Sequence, residues 1–319
     1  MKVGTLLISL SLLSCNIKNE KTTLTLGHTH DTRHVVHVAM EYMADRIEHY
    51  SEGRMEMVIY PGAQLGTERE MIELLQIGSL SMTKVSASPL EGFVPEMQVF
   101  GIPYLMRDRN HFWRVLNSDI GQDLLKKVEK VRLKGMGYFD AGSRSFYTTE
   151  GPINTPDDLI GKKIRVLNSP TAVAAVKALG GAATPIAWGE LYAALQQGVV
   201  DGAENNPPSY FISRHYEIAK FYSLDEHTFV PDVILASLPV WQALSSEQQG
   251  WLTAAMSDAV EHQKLLWQKA SDEAMLAVEK AGTTIVYPDK AAFQAKMVDF
   301  HASFAESPVA EQIIQIKKM

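Results

Sequence analysis

Residues 73–80 read ELLQIGSL and residues 193–200 read AALQQGVV, so a Leu-Gln-x-Gly unit recurs after 120 positions, from Leu75 to Leu195. Each copy is typical of a helix end, a glycine that caps it and a strand that follows. This junction is common wherever a helix precedes a strand, so the repeat alone does not establish a duplication. Alternating strand and helix patterns start at Thr23 and again after Thr155-Pro156. Together they predict two similarly built α/β lobes.

A long amphipathic helix is predicted from Ser246 to Ala281. Ser245 and Gln248 have the spacing of a capping box, and Gly282 follows the last apolar position. At 1.5 Å per residue such a helix is roughly 54 Å long, more than the ~30 Å of one small domain. We expect it to run across both lobes. Pairing of such helices between two chains is the alternative, but the apolar spacing follows no strict heptad.

The composition excludes several classes of protein. The chain has 30 basic and 37 acidic residues in 319, a net charge of −7, and no basic stripe that follows a phosphate backbone, so nucleic acid is not an expected partner. It contains no glycine-rich phosphate or dinucleotide loop, no GxSxG elbow and no HExxH motif. We therefore expect no cofactor and no catalysis.

The single cysteine, Cys15, follows a basic Lys2 and an apolar stretch from Val3 to Leu13 that is too short to span a bilayer. The order Leu-Leu-Ser-Cys at residues 12–15 resembles the bacterial lipobox, whose cysteine becomes the lipidated first residue of the mature protein. This pattern predicts a signal peptide at 1–14, a lipidated tether at 15–22 and a membrane-anchored lipoprotein of the periplasm. An ordinary signal peptide with a chance cysteine is the alternative.

Four histidines, His28, His30, His34 and His37, lie close together in the chain. Zinc accepts such ligands. The pattern does not show that the four rings converge, so three interpretations stay open: a metal site, ordinary surface or core histidines, and hydrogen-bonding groups of a ligand cleft. We favour a site without metal.

An arginine lies inside a predicted strand in the sequence GKKIRVLN at residues 161–168. Alternation puts Ile164 and Val166 on one face and Arg165 with Leu167 on the other. A guanidinium held on a rigid strand is suited to bind a carboxylate through two parallel hydrogen bonds. From this segment alone, the carboxylate of a bound organic acid and an Asp or Glu of the protein are equally good partners.

Several stretches resemble the substrate-binding proteins of tripartite ATP-independent periplasmic (TRAP) transporters, the DctP type. They are QLGTE at 64–68, GKKIRV at 161–166 and PIAWGELYAALQQGVVDGAENN at 185–206, and the similarity extends over nearly all of the chain from Leu24. The resemblance implies an α/β, two-lobed periplasmic binding protein (type II-like) with crossing hinge strands and a long helix spanning both lobes. Lobe I is expected at 23–143 plus about 230–265, and lobe II at 144–229 plus about 266–319. It further implies a monomer that delivers an organic acid to the small and large membrane subunits of a TRAP transporter.

The resemblance also implies site residues. Arg165 matches the arginine that pairs with the ligand carboxylate, and Asn205 matches an asparagine that hydrogen-bonds ligand, with Asn206 as a weaker candidate. Arg144 and Asn168 resemble cleft positions of the sugar-acid branch. The alternatives for these two are a solvated arginine and a turn asparagine.

The resemblance to a subgroup that binds hexuronic acids such as glucuronate and galacturonate rests on Thr29-His30 with Glu68, on Asn205-Asn206, and on Asp225-Glu226-His227-Thr228. A sugar acid needs a guanidinium for its carboxylate and several acceptors or two-way groups for its hydroxyls. A C4-dicarboxylate or a keto acid is an alternative ligand, with Arg144 as the second cation. A receptor that presents the acid to a membrane sensor and an exported sugar-acid enzyme are alternative functions.

Overall fold

The computed structural model describes residues 21–319. The predicted signal peptide, Cys15 and most of the predicted tether lie outside these described residues, and Thr22, the last residue assigned to the tether, begins the first strand. The strands within this range are β1 (Thr22–Gly27), β2 (Met55–Tyr60), β3 (Met82–Ser86), β4 (Leu133–Phe139), β5 (Arg144–Thr148), β6 (Lys163–Val166), β7 (Ala182–Pro185), β8 (Gly202–Asn205), β9 (Phe221–Thr228), β10 (Asp232–Ser237) and β11 (Thr284–Val286).

The strands alternate with α-helices and with short 3-10 turns. The α-helices of the described range are α1 (Val35–Tyr50), α2 (Glu68–Gln76), α3 (Ala87–Leu90), α4 (Arg109–Asn117), α5 (Asp119–Lys127), α6 (Pro170–Ala178), α7 (Leu191–Gln196), α8 (Pro207–Ile212), α9 (Leu238–Ala243), α10 (Ser246–Lys280), α11 (Lys290–Lys296), α12 (Val298–Ala302) and α13 (Ala310–Lys318). The 3-10 turns are Pro95–Gly101, Val128–Val131, Pro156–Leu159, Trp188–Glu190 and His215–Glu217. None of the helices in residues 21–319 combines the length and the hydrophobicity that crossing a membrane requires.

Two separate sheets define two lobes. The sheet of lobe I has the order β2-β1-β3-β10-β4, and that of lobe II has the order β11-β9-β5-β8-β6-β7. The chain crosses from lobe I to lobe II between β4 and β5, at residues 140–143, and returns between β9 and β10, at residues 229–231. In each lobe the two crossing strands are antiparallel neighbours. The crossing segments therefore lie side by side, as the prediction of crossing hinge strands requires.

The Leu-Gln-x-Gly repeat forms the same junction in both lobes. Gly78 follows α2 with φ of +79°, and Gly198 follows α7 with φ of +68°. Glycine adopts these left-handed conformations without the steric cost that a Cβ would add. The sequence Thr155-Pro156 begins only a single 3-10 turn, which leads directly into β6. Thr155 and Asp158 form a capping box at this turn, but no α-helix follows it before β6.

The long helix α10 begins at the predicted capping box and has 35 residues, about 52 Å at 1.5 Å per residue. It packs against α1 of lobe I and α8 of lobe II, so it spans both lobes as expected. Its buried face contains one polar residue that the apolar pattern misses. Gln263 donates to the carbonyl of Asp140 and accepts from the Asp140 amide, both at 2.8 Å. The side-chain amide of Gln263 thus pairs with both backbone polar groups of Asp140, and this attaches the helix to the first crossing segment.

The C-terminal helices connect the lobes from the other side. Phe293 and Met297 are buried in the largest apolar cluster, which takes residues from both lobes. The ring of His111 in α4 is hydrogen-bonded to the carbonyl of Ile316 at 3.1 Å. The segment that the sequence assigns to lobe II therefore also contacts lobe I.

The close contact of β8 with β5 depends on a glycine. A Cβ added to Gly202 would lie 2.4 Å from the carbonyl oxygen of Tyr147. We predict that Gly202→Ala lowers the free energy of unfolding by about 1–3 kcal/mol, because the strands must separate to admit the methyl group. Gly250→Ala, in an open position of α10, is the control and should raise it by up to about 1 kcal/mol. Urea unfolding monitored by circular dichroism measures both, and unchanged stability of Gly202→Ala would contradict the prediction.

Candidate functional site

A cavity of about 460 Å³ lies between the lobes. Lobe I lines it mainly with the loop before α2 and the first turn of that helix, and lobe II with the end of β6 and the segment after β7. A narrower cavity adjoins it and shares four lining residues with it, Thr29, Glu68, Leu167 and Trp188. Polar groups in the narrower part come from both lobes, and they include His30, His34, Lys84, Arg144, Asn205 and Asp232.

Arg165 lies at the wall of the larger cavity and has an exposed fraction of 0%. Its Nε donates to the carbonyl of Ile186 at 2.9 Å. Within residues 21–319, its two terminal nitrogens are the buried side-chain polar atoms that have no hydrogen-bond partner. The internal salt bridge that the sequence left open is therefore not formed. Burial lowers the pKa of Arg165 to about 10, which still leaves a cation at neutral pH.

The surroundings of Arg165 hold the guanidinium in place. The ring of Trp188 lies 5.7 Å from its central carbon, a cation–π distance. Behind it, Tyr147 is hydrogen-bonded to the ring of His215 at 2.8 Å, and burial lowers the pKa of His215 to about 3. A neutral imidazole does not compete for an anion. This arrangement presents two parallel donors that match one carboxylate.

Arg144 has a different environment. It is buried, and its guanidinium forms a bidentate ion pair with the carboxylate of Glu204, with the second contact at 2.8 Å. It also donates to the Glu204 carbonyl at 2.7 Å and to the side-chain oxygen of Asn205 at 3.0 Å. Arg144 is therefore neither a solvated arginine nor a free cation. Its pairing orients Asn205, which lines the narrower cavity.

His227 extends this ion pair into a network. It is hydrogen-bonded to Asp225 at 2.8 Å and lies 3.6 Å from Glu204, with its ring stacked on Phe146. Burial alone would lower the pKa of His227, but the two carboxylates raise it to about 9. Burial likewise would raise the pKa of Glu204, and Arg144 with His227 lower it to about 2. The network is thus charged at neutral pH.

Lys84 is a site residue that the sequence reasoning missed. It has an exposed fraction of 2% and contacts His30 at 2.8 Å, Glu68 at 3.3 Å and Asp232 at 3.0 Å. Burial opposes its charge, but Asp232 and Glu68 keep its pKa above the ordinary value. The only sequence signal that points to it is a lysine in the middle of a short strand, between Thr83 and Val85.

The four histidines are brought together by the fold and are all buried. His28 is hydrogen-bonded to His37 at 2.9 Å, and the rings of His30 and His34 are stacked with centroids 4.0 Å apart. His34 also reaches Ser209 of lobe II at 3.2 Å. Burial and the nearby cation of Lys84 keep the pKa of His30 well below its ordinary value. Both ring nitrogens of His28 and of His34 therefore contact protein partners, and His30 and His34 line the cleft.

The remaining predicted residues fall into two groups. Glu68 lines both cavities and accepts from the amide of Ser86 at 3.0 Å, and Asn168 lines the larger cavity. Glu226, however, is hydrogen-bonded to Ser143 and paired with Lys290 in a separate surface cavity. Asn206 accepts from the amide of Ser209 at 2.9 Å and so caps α8, and it also lines the narrower cavity.

Direct contacts join the lobes across the cleft. Ser169 and Thr171 of lobe II donate hydroxyl hydrogens to Glu91 of lobe I at 2.5 Å and 2.6 Å. The contact of His34 with Ser209 also joins the two lobes. Two lobes that meet around a buried and unpaired guanidinium can enclose a small organic anion.

The sequence profile of the DctP family, described as bacterial extracellular solute-binding protein, family 7, matches residues 26–307. The chain belongs to this family. The family membership and the two-lobed α/β fold that the sequence predicted are thereby confirmed.

Solved structures agree. A TRAP periplasmic solute-binding protein from Xanthobacter autotrophicus Py2 with bound β-D-galacturonate has a TM-score of 0.89 at 35% identity, covering 92% of this chain and 99% of that chain. The protein from Chromohalobacter salexigens with bound D-glucuronate has a TM-score of 0.89 at 33% identity, with 92% and 99% covered. The protein from Polaromonas sp. JS666 bound to D-erythronate has a TM-score of 0.90 at 33% identity, with 93% and 98% covered.

The raised pKa of His227 predicts a pH-dependent contribution to stability. The contribution is complete below the unfolded pKa of about 6.5 and is lost as the pH rises through about 9. The native protein should therefore have a higher free energy of unfolding than His227→Gln at pH 6. This difference between the two proteins should be smaller at pH 10, by up to about 3 kcal/mol. Urea unfolding of both proteins over this pH range measures the difference. A difference that stays constant with pH would contradict the assignment of a charged His227.

Proposed function

We propose that this protein captures a hexuronate such as glucuronate or galacturonate in the cleft between its lobes. The observation that carries the proposal is the guanidinium of Arg165, which is buried at the cavity wall with both terminal nitrogens unpaired. A buried cation without a partner is unfavourable by itself. It becomes favourable when a carboxylate binds.

The rest of the cleft suits the hydroxyls of a sugar acid. Glu68 and Asp232 supply acceptor oxygens, and Asn205 supplies an amide nitrogen. The larger cavity of about 460 Å³ is within the usual range for small-molecule sites. The uronates bound by the proteins from Xanthobacter autotrophicus and Chromohalobacter salexigens support this ligand class.

The proposed mechanism is binding without a chemical step. The lobes rotate about the crossing segments at 140–143 and 229–231, and the contacts of Glu91 with Ser169 and Thr171 form on closure. The loaded protein then docks on the small and large membrane subunits of a TRAP transporter. The membership in an extracellular solute-binding family supports this role.

The Arg165→Met variant tests the proposal through two opposite effects. It should lose about 2–5 kcal/mol of uronate binding free energy, because the ligand carboxylate loses its partner. Without ligand it should be more stable by about 1–4 kcal/mol, because a buried unpaired charge is replaced by an apolar chain of similar length. Calorimetric titration with D-glucuronate and D-galacturonate, and urea unfolding without ligand, measure the two quantities.

Arg214→Met is the matched control, because Arg214 is an exposed arginine of the same lobe with only a distant contact to Glu217. It should leave both quantities unchanged. Native affinity for uronates in Arg165→Met, or a loss of stability without ligand, would contradict the assignment of Arg165.

A thermal-shift screen that includes succinate, D-erythronate and keto acids tests the ligand class, because a ligand stabilises the folded form according to its occupancy. A response to succinate without a response to uronates would overturn the hexuronate assignment.

We also propose that Cys15 is lipidated after cleavage of residues 1–14, so that the protein stays at the membrane. The lipobox-like order of residues 12–15 supports this proposal. In bacteria expressing the full chain, Cys15→Ala should abolish labelling by a radioactive fatty acid and move the protein from the membrane fraction to the soluble periplasmic fraction, because the acyl chains hold it at the bilayer. Ser11→Ala is the control and should leave both unchanged. An unlabelled native protein in the soluble fraction would refute lipidation.

A further inference from the structure

We infer that the cleft accepts one carboxylate, at Arg165, and that Glu68 and Asp232 make its narrower part reject a second one. The inference rests on the proposed function and deepens it. It assigns the site to monocarboxylic sugar acids and excludes the dicarboxylic ones, in which both ends of the sugar are oxidised.

The first observation concerns the cations of the narrower cavity, which are Lys84 and Arg144. All three hydrogens of the Lys84 ammonium are used by contacts to His30, Glu68 and Asp232. Four of the five N–H groups of Arg144 are used, three of them by Glu204. Neither side chain is thus available as a bidentate partner for a carboxylate.

The second observation concerns charge. Lys84 is one cation between two carboxylates, and Glu204 offsets the charge of Arg144. A ligand carboxylate in this part of the cleft would lose its hydration without gaining a free cation. The oxygens of Glu68 and Asp232 would lie near it as further acceptors. These same oxygens are suited to accept hydrogen bonds from ligand hydroxyls.

The third observation is the contrast with the other cavity. Among the described residues, the terminal nitrogens of Arg165 are the buried polar side-chain atoms without a partner. The cleft therefore has one end where the unpaired guanidinium of Arg165 favours an anion, and another end where the charged side chains are already paired. A ligand with a carboxylate at one end and hydroxyls at the other satisfies both ends.

The test compares D-galacturonate with galactarate, which carries a carboxylate at both ends of the chain, by calorimetric titration of the whole mature protein at pH 7.5. We expect galactarate to bind at least 100-fold more weakly. The two ligands also differ in shape, so the same pair is measured on Glu68→Gln and Asp232→Asn. Both variants remove a negative charge and keep an oxygen that accepts from Lys84. In each variant the dissociation constant of galactarate divided by that of D-galacturonate should be about tenfold smaller than in the native protein, or smaller still. The reason is that Lys84 then carries an excess positive charge.

Glu73→Gln, on the same helix as Glu68 but half exposed and paired with Arg69, is the control and should keep the native ratio. Equal affinities for the two ligands in the native protein would overturn the inference and leave the proposed function standing. A native ratio in both Glu68→Gln and Asp232→Asn would also overturn it, because the selection would then come from shape. Failure of both D-galacturonate and D-glucuronate to bind, whether or not galactarate binds, would overturn the proposed function together with the inference.

Discussion

The buried guanidinium of Arg165 is the constraint around which the cleft is organised. A cation removed from water without a counter-ion is stable only if the surrounding fold compensates for it. The Ile186 carbonyl and the Trp188 ring hold the group, and β6 is hydrogen-bonded on both sides by β7 and β8. The two remaining donors face the cavity in a fixed orientation. We expect such an arrangement to lower the stability of the protein without ligand and to favour the binding of an anion, which is the usual compromise at a functional site.

Within residues 21–319, the buried cations near the cleft other than Arg165 are paired with carboxylates of the protein, and this difference distinguishes Arg165 from the rest of the site. Arg144 pairs with Glu204, His227 with Asp225, and Lys84 with Glu68 and Asp232. Paired ions are rigid and present acceptor oxygens, so they bind hydroxyls better than anions. The acidic net charge of the chain is therefore compatible with an anionic ligand, because the decisive positive charge is local.

The crossing segments and α10 join the two lobes that form this site, and the proposed rotation of the lobes on ligand binding involves them. Gln263 in the middle of α10 holds the backbone of Asp140, and the side chain of Asp140 in turn accepts from Arg109 and Trp113 at 2.6 Å and 2.9 Å. One side of the hinge is thus attached to a rigid helix that both lobes share. In the proposed closure, the lobes would rotate about this attached segment.

Local patterns predicted much of this protein. The repeated Leu-Gln-x-Gly junction, the capping box of α10 and the alternation around Arg165 depend on neighbours within a few residues, and the sequence shows these neighbours directly. The same patterns separated Arg165 from an ordinary surface arginine, but they left its partner open.

The partners of the charged side chains were decided by the tertiary structure. Glu204 lies 60 positions from Arg144, and Asp232 is far from Lys84 in the chain, yet antiparallel pairing of β5 with β8 and of β10 with β3 puts them in contact. Pairing between strands that are distant in sequence cannot be inferred from local periodicity, so Lys84 was missed and the pairing of Arg144 with Glu204 was not predicted. The sequence by itself determined that an arginine lies on a strand of a two-lobed α/β protein. Only the tertiary structure decided that this arginine is unpaired, because that depends on which distant carboxylates the fold brings to the other cations.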